Sequence, residues 1–146
     1  MKFLVINGPN LNLLGRREPE IYGKRDYGAL CDHIRAAADA LGIETKIMQT
    51  NHEGVIVDAI QDAMDKYDGI IINPAAYTHT SIAIADAIAA VGIPTAEVHL
   101  SDVDAREEFR KISFLTPVCV LRVIGKGFDS YSEAIFALCA HVRANH

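Results

Sequence analysis

The sequence predicts an α/β fold in which a doubly wound, five-stranded parallel sheet carries helices on both faces. Two observations predict it. Five short apolar runs recur along the chain and alternate with helical patterns, as βαβ units require. The helical segments also close on glycine, at Gly42, Gly69 and Gly92, the residue that best tolerates the backbone turn at a helix end.

The first run, KFLVIN at 2–7, and the third, GIIINP at 69–74, are almost continuously aliphatic, which places them at the centre of a sheet covered on both faces. IETKIMQ at 43–49 and VCVLRVIG at 118–125 carry polar interruptions and are placed toward the edges; TAEVHL at 95–100 is the fourth strand. Between them, DYGALCDHIRAAADALG sets Leu30, Ile34, Ala37 and Leu41 on one helical face and stops at Gly42. HEGVIVDAIQDAMDKYDG turns Val57, Ile60 and Met64 inward and stops at Gly69, and TSIAIADAIAAVG is a short Ala-rich helix closed by Gly92. A last helix, from about Ser130 to His146, carries Ile135, Leu138, Cys139 and Val142. With no linker, internal repeat or low-complexity tract in between, residues 1–146 read as one domain with a flavodoxin-like strand order.

Composition narrows the function. Half of the 146 residues are hydrophobic and 23% are charged, the balance of a chain that buries its own core. A net charge of −5, with 14 dispersed Lys and Arg, argues against nucleic acid, whose binding needs clustered cations. The four apolar residues before Asn7 are too few for a secretory core, and no run approaches a membrane span. Three cysteines without CxxC spacing suit a reduced compartment, so a cytoplasmic protein is expected.

Ligands of an open parallel sheet bind outside the carboxyl ends of its strands. Asn7, Asn10 and a long loop follow the first strand, NPAAYTHTS ends the third, and EVHLSD ends the fourth. Connections in such units usually span roughly two to six residues. Residues 8–23, GPNLNLLGRREPEIYG, are far longer and carry two arginines, two glutamates and a tyrosine. Nucleotide signatures fail here: there is no GxGxxG, and Gly8 and Gly15 do not lead into the Lys-Ser/Thr of a phosphate loop. A GxSxG nucleophile elbow is absent, and the six histidines lack zinc spacing, which favours chemistry without a metal.

Each remaining candidate has a structural and a chemical reading. His99 at a strand end is by default only hydrogen-bonded, but Glu97, two residues earlier on the same face, can hold its ring in one tautomer and favour the protonated form. Tyr22 is either an amphipathic plug or, five and six residues after Arg17 and Arg16, a phenol that a guanidinium helps to ionise. Asn10 and Asn73 either close turns or bind substrate, and Thr80 or Ser81 either caps a helix or helps form an anion site. Arg110 can offer a two-pronged fork to a carboxylate, whereas Arg106 and Lys111 read as surface charges.

Assembled, INGPNLNLLGRREPEIYG at 6–23, NHEG at 51–54, INPAAYTHTS at 72–81, EVHLS at 97–101 and AREEFR at 105–110 strongly resemble type II 3-dehydroquinate dehydratase over nearly the whole chain. The resemblance implies reversible anti dehydration of 3-dehydroquinate to 3-dehydroshikimate through an enolate, with no metal or organic cofactor. It makes the long loop a mobile lid. It makes Tyr22 the base, Arg17 the group that favours its phenolate, His99 the acid, Glu97 its orienting partner, and Asn10 the holder of a water against the enolate oxygen. Asn73, His79, Ser101, the Leu100 backbone and Arg110 become substrate contacts, with Asp86 reaching in from a neighbouring subunit of a homo-oligomer, a dodecamer built from trimers. Ala85, where relatives often carry arginine, and Asp102 and Asp104 in SDVDA depart from the family pattern at positions tied to subunit contacts and site tuning. A flavin- or nucleotide-binding module, an inactive homologue and a lyase for a similar cyclic hydroxy acid are the rival readings. Shikimate-dependent aromatic biosynthesis and quinate breakdown both use this step.

Overall fold

The computed structural model describes residues 1–16 and 25–146, so the second half of the long loop, with Arg17 and Tyr22, lies outside the described residues. Strands β1 (Lys2–Asn7), β2 (Glu44–Gln49), β3 (Gly69–Asn73), β4 (Thr95–His99) and β5 (Leu121–Ile124) form one sheet in the order β2-β1-β3-β4-β5. All four pairings are parallel. This is the flavodoxin-like order expected of the pattern, with the two interrupted runs at the edges.

Among the described residues, four helices cover the sheet: α1 (Tyr27–Ala40), α2 (Glu53–Asp62), α3 (Ile82–Val91) and α4 (Asp129–Ala144). Strand alternation divides the core. Phe3, Val5, Ile71, Ala96 and Val98 pack under α1 and α4, while Leu4, Ile6, Ile70 and Ile72 pack under α2 and α3. No helix among the described residues is long and apolar enough to cross a membrane.

Several expected details change. On α1 the buried stripe is Leu30, Ile34 and Ala38, a strict four-residue row, which leaves Ala37 and Leu41 half-buried. Helix α2 stops at Asp62, buries Ile56 with Ile60, leaves Val57 half-buried and exposes Met64 to 48%. The chain turns through Asp65 at φ 63, so Gly69 is not a helix stop but the first residue of β3. It packs there because a Cβ would lie 2.8 Å from the Phe3 ring and 2.9 Å from Leu138. Strand β5 is only four residues long, because Thr116–Val118 form a 3-10 turn around Pro117.

Candidate active site

Strand β4 delivers Glu97 and His99 to one face at its carboxyl end, two residues apart as the pleat requires. Glu97 is wholly buried, yet its carboxylate is surrounded by donors. Oε2 accepts from His99 Nε2 at 2.6 Å, from Thr78 Oγ1 at 2.7 Å and from Ser113 Oγ at 2.9 Å, and Oε1 accepts from Thr116 Oγ1. Burial by itself would push the Glu97 carboxyl up, but the bonds from His99, Thr116 and Thr78 outweigh it and bring the value down to about 2. An ionised carboxylate only accepts, so the proton in the 2.6 Å contact sits on His99 Nε2. His99 Nδ1 is left as the ring atom able to exchange a proton with a ligand.

The hydroxyls come from two segments joined by backbone. Thr78 lies in the 3-10 turn after β3, Ser113 and Thr116 lie on the return to β5, and the Phe114 N–H donates to the Thr78 carbonyl at 2.8 Å. His79 extends the same junction, its Nδ1–H donating to the Ile112 carbonyl at 2.7 Å, which leaves Nε2 for a ligand.

The ends of β1 and β3 form the other wall. Asn7 and Asn73 are register partners on neighbouring strands, and the buried Tyr131 hydroxyl joins them. It donates to Asn7 Oδ1 at 2.7 Å and accepts from Asn73 Nδ2 at 2.9 Å. Asn73 Oδ1 accepts from the Ala75 N–H, so its amide has one orientation and, among the described residues, one N–H still to offer. Beyond β1 the chain passes Gly8, where a Cβ would meet the Pro74 carbonyl oxygen at 2.7 Å. Asn10 then takes a left-handed φ of 70, a conformation asparagine tolerates. Its N–H donates to Asn51 Oδ1, which also accepts from Gln49 Nε2, while the Asn51 carbonyl accepts from Tyr77 Oη. Asn10 is exposed.

Glu97, His99, Asn73, His79 and Asn10 therefore stand at the carboxyl ends of the adjacent strands β1, β3 and β4. Ser101 is exposed and Leu100 half-buried just after His99, with the Leu100 carbonyl tied to the Gly127 N–H at 3.0 Å. Arg110 lies further along, where its Nε donates to Glu107 at 2.7 Å. Asp86 is exposed on α3, and no hydrogen bond or ion pair links it to these groups among the described residues. Ser81 is engaged as the helix cap, accepting from the Ile84 N–H at 3.0 Å. Arg106 and Lys111 are exposed charges paired with Glu107 and Glu108, as expected. The sequence reading did not single out Ser113, Thr116, Tyr131 or Arg122. The only trace of the last was the polar break in the fifth apolar run.

The model of the family described as Dehydroquinase class II matches residues 1–139. A 3-dehydroquinate dehydratase of Caldicellulosiruptor saccharolyticus is 56% identical over 138 residues, covering 94% of this chain and 95% of its own. One from Clostridium perfringens is 52% identical over 145 residues, covering 99% of each. The solved type II dehydroquinase from Butyrivibrio crossotus superposes with a TM-score of 0.90 at 51% identity, covering 95% of this chain and 97% of its own.

Proposed function

Because the chain belongs to the class II dehydroquinase family and has 3-dehydroquinate dehydratase activity, we propose a mechanism in which a tyrosinate base and a histidine acid act on opposite faces of the substrate ring. Residues 1–146 act as one catalytic domain. The observation that carries this reading is the buried Glu97–His99 pair at the end of β4, with the 2.6 Å bond directed through His99 Nε2.

Tyr22, its phenolate favoured by Arg17, takes the C2 proton, and the electron pair moves toward the C3 carbonyl as an enolate. Asn10 holds a water against that oxygen, where negative charge develops. The enolate then collapses, the C1–O bond breaks, and the departing hydroxyl takes a proton from His99 Nδ1 and leaves as water. Glu97 keeps the imidazole in the orientation this transfer needs. Asn73, His79, Ser101, the Leu100 backbone and Arg110 hold the hydroxyls and carboxylate, and residues 8–23 close over the ring. The second Asn73 N–H and the His79 Nε2, both without a partner among the described residues, support the two binding roles.

Side chains, backbone groups and one water held by Asn10 carry every step of this scheme, which calls for no metal or organic cofactor. Chelator-treated protein mixed with 3-dehydroquinate is expected to raise the ultraviolet absorbance of the conjugated enone. A folded protein that gives no rise would overturn the activity, and a rise abolished by chelator would overturn the cofactor-free scheme. Asp86 serves the active site of an adjoining subunit within trimers that build a dodecamer. The exposure of Asp86 beside Ile82, itself 59% exposed, supports that placement.

A further inference from the structure

Arg122 is the register partner of Glu97 in the parallel pairing of β4 with β5, so the two side chains leave the same face of the sheet. Asp104 grips its guanidinium in two prongs, Nη1 to Oδ2 and Nη2 to Oδ1, each at 3.2 Å. Nε then lies 4.0 Å from Glu97 Oε2, inside ion-pair reach and beyond a hydrogen bond. It is the one buried side-chain nitrogen or oxygen without a hydrogen-bond partner among the described residues. Oε2 already accepts from His99, Thr78 and Ser113, so Arg122 acts on it through charge. Apart from His99, the hydrogen-bond donors to Glu97 among the described residues are neutral hydroxyls.

We propose that Arg122, a cation shared between Asp104 and Glu97, is a positioning residue that serves as the standing counter-charge of Glu97 and sets how readily the Glu97–His99 pair releases its proton to the departing hydroxyl. The inference rests on His99 being the acid. When the C1–O electron pair leaves with the oxygen and His99 Nδ1 supplies the proton, water forms and the imidazole becomes neutral. Glu97 then stays buried and ionised without its nearest cation. A guanidinium 4.0 Å away offsets that cost, whereas its removal makes the pair keep the proton more tightly. Among the described residues, the other charged or titratable groups that bear on the pair or on Arg122 are Asp104 and Asp102 on the segment after β4, and Cys119 ahead of β5. Burial first, then the Glu97 charge, push the Cys119 thiol up to about 12, so it stays neutral.

The test is kcat and KM across pH for Arg122→Gln, Arg122→Lys and Asp104→Asn, with His99→Ala alongside. In Arg122→Gln one limb of the kcat profile is expected to move up by about 1 pH unit, and in Asp104→Asn, which removes the competing carboxylate and leaves the guanidinium to Glu97, the same limb moves down. The plateau of Arg122→Gln falls by up to about tenfold with little change in KM, the Brønsted limit for such a shift. Arg122→Lys restores most of both. Lost packing would not move one limb in opposite directions. Profiles that superpose on wild type, or shifts of the same sign, would overturn the proposal while His99→Ala remains inactive. An active His99→Ala would instead overturn the reading of His99 as the acid. Should Arg122→Gln fail to fold, the exposed Asp104→Asn decides alone, and an unmoved limb there overturns the proposal.

Discussion

Glu97 is buried without being neutralised, and this ties the stability of the fold to pH. Its carboxyl titrates near 2 in the folded chain against an ordinary 4.5, so the unfolded chain binds the proton more readily. The sign follows: the contribution is complete above 4.5 and drains away as pH falls toward 2, and is on the order of 3 kcal/mol when present. Urea unfolding of the wild type between pH 6 and 2 should lose stability across that window, and Glu97→Gln should be weaker at pH 6 and flatter through the window. Equal slopes would mean that the pair does not hold the carboxylate ionised. Tyr22 lies outside the described residues, so its role is tested by chemistry. Tyr22→Phe is expected to keep its far-ultraviolet circular dichroism and lose about 10²–10⁴-fold in kcat, the usual share of a general base. Near-normal turnover would reassign the base.

Elements deliver these residues, and their ends matter most. Helix α3 is capped by Ser81, whose hydroxyl accepts from the Ile84 N–H, directly after the turn that supplies Thr78 and His79. Ser81→Ala should cost about 1 kcal/mol in thermal unfolding and leave KM nearly unchanged, because the cap holds the helix and not the substrate. Gly8 behaves differently. A methyl there meets backbone at Pro74, which cannot swing aside as a side chain can, so Gly8→Ala should cost about 2 kcal/mol and raise KM by separating the ends of β1 and β3. A variant with normal stability and KM would show that this approach has slack. The helix α2 pattern illustrates where local signals stop. Apolar spacing runs on to Met64, but the chain reverses at Asp65 so that the Asp68 carboxylate can accept from the Lys2 N–H at 2.8 Å and β3 can start beside β1. Helical periodicity carries no record of that strand-pairing demand.

For the molecule as a whole, the shared-site reading of Asp86 makes activity depend on assembly. If Asp86 completes a neighbour's site, mixing Asp86→Ala subunits with Tyr22→Phe subunits, each inactive alone, should restore part of the activity after subunit exchange. Demonstrated exchange without recovery would argue against a shared site. Much of the fold was legible because a parallel sheet buried on both faces demands aliphatic runs, and KFLVIN and GIIINP satisfy that demand locally. Glu97 and His99 were legible as a pair for the same reason, since a two-residue pleat puts them on one face wherever the strand lies. Their environment was not. Thr78, Ser113, Thr116 and Arg122 reach Glu97 from positions 16 to 25 residues away in the chain, and Tyr131 joins Asn7 and Asn73 from the last helix. Hydroxyls and a strand arginine are common in any sequence, and no local spacing marks which will converge. Periodicity and motif order along the chain specify strands, helices and candidate site residues; the charge state of Glu97, and the cation standing across from it, follow only from how β4, β5 and the loops between them pack.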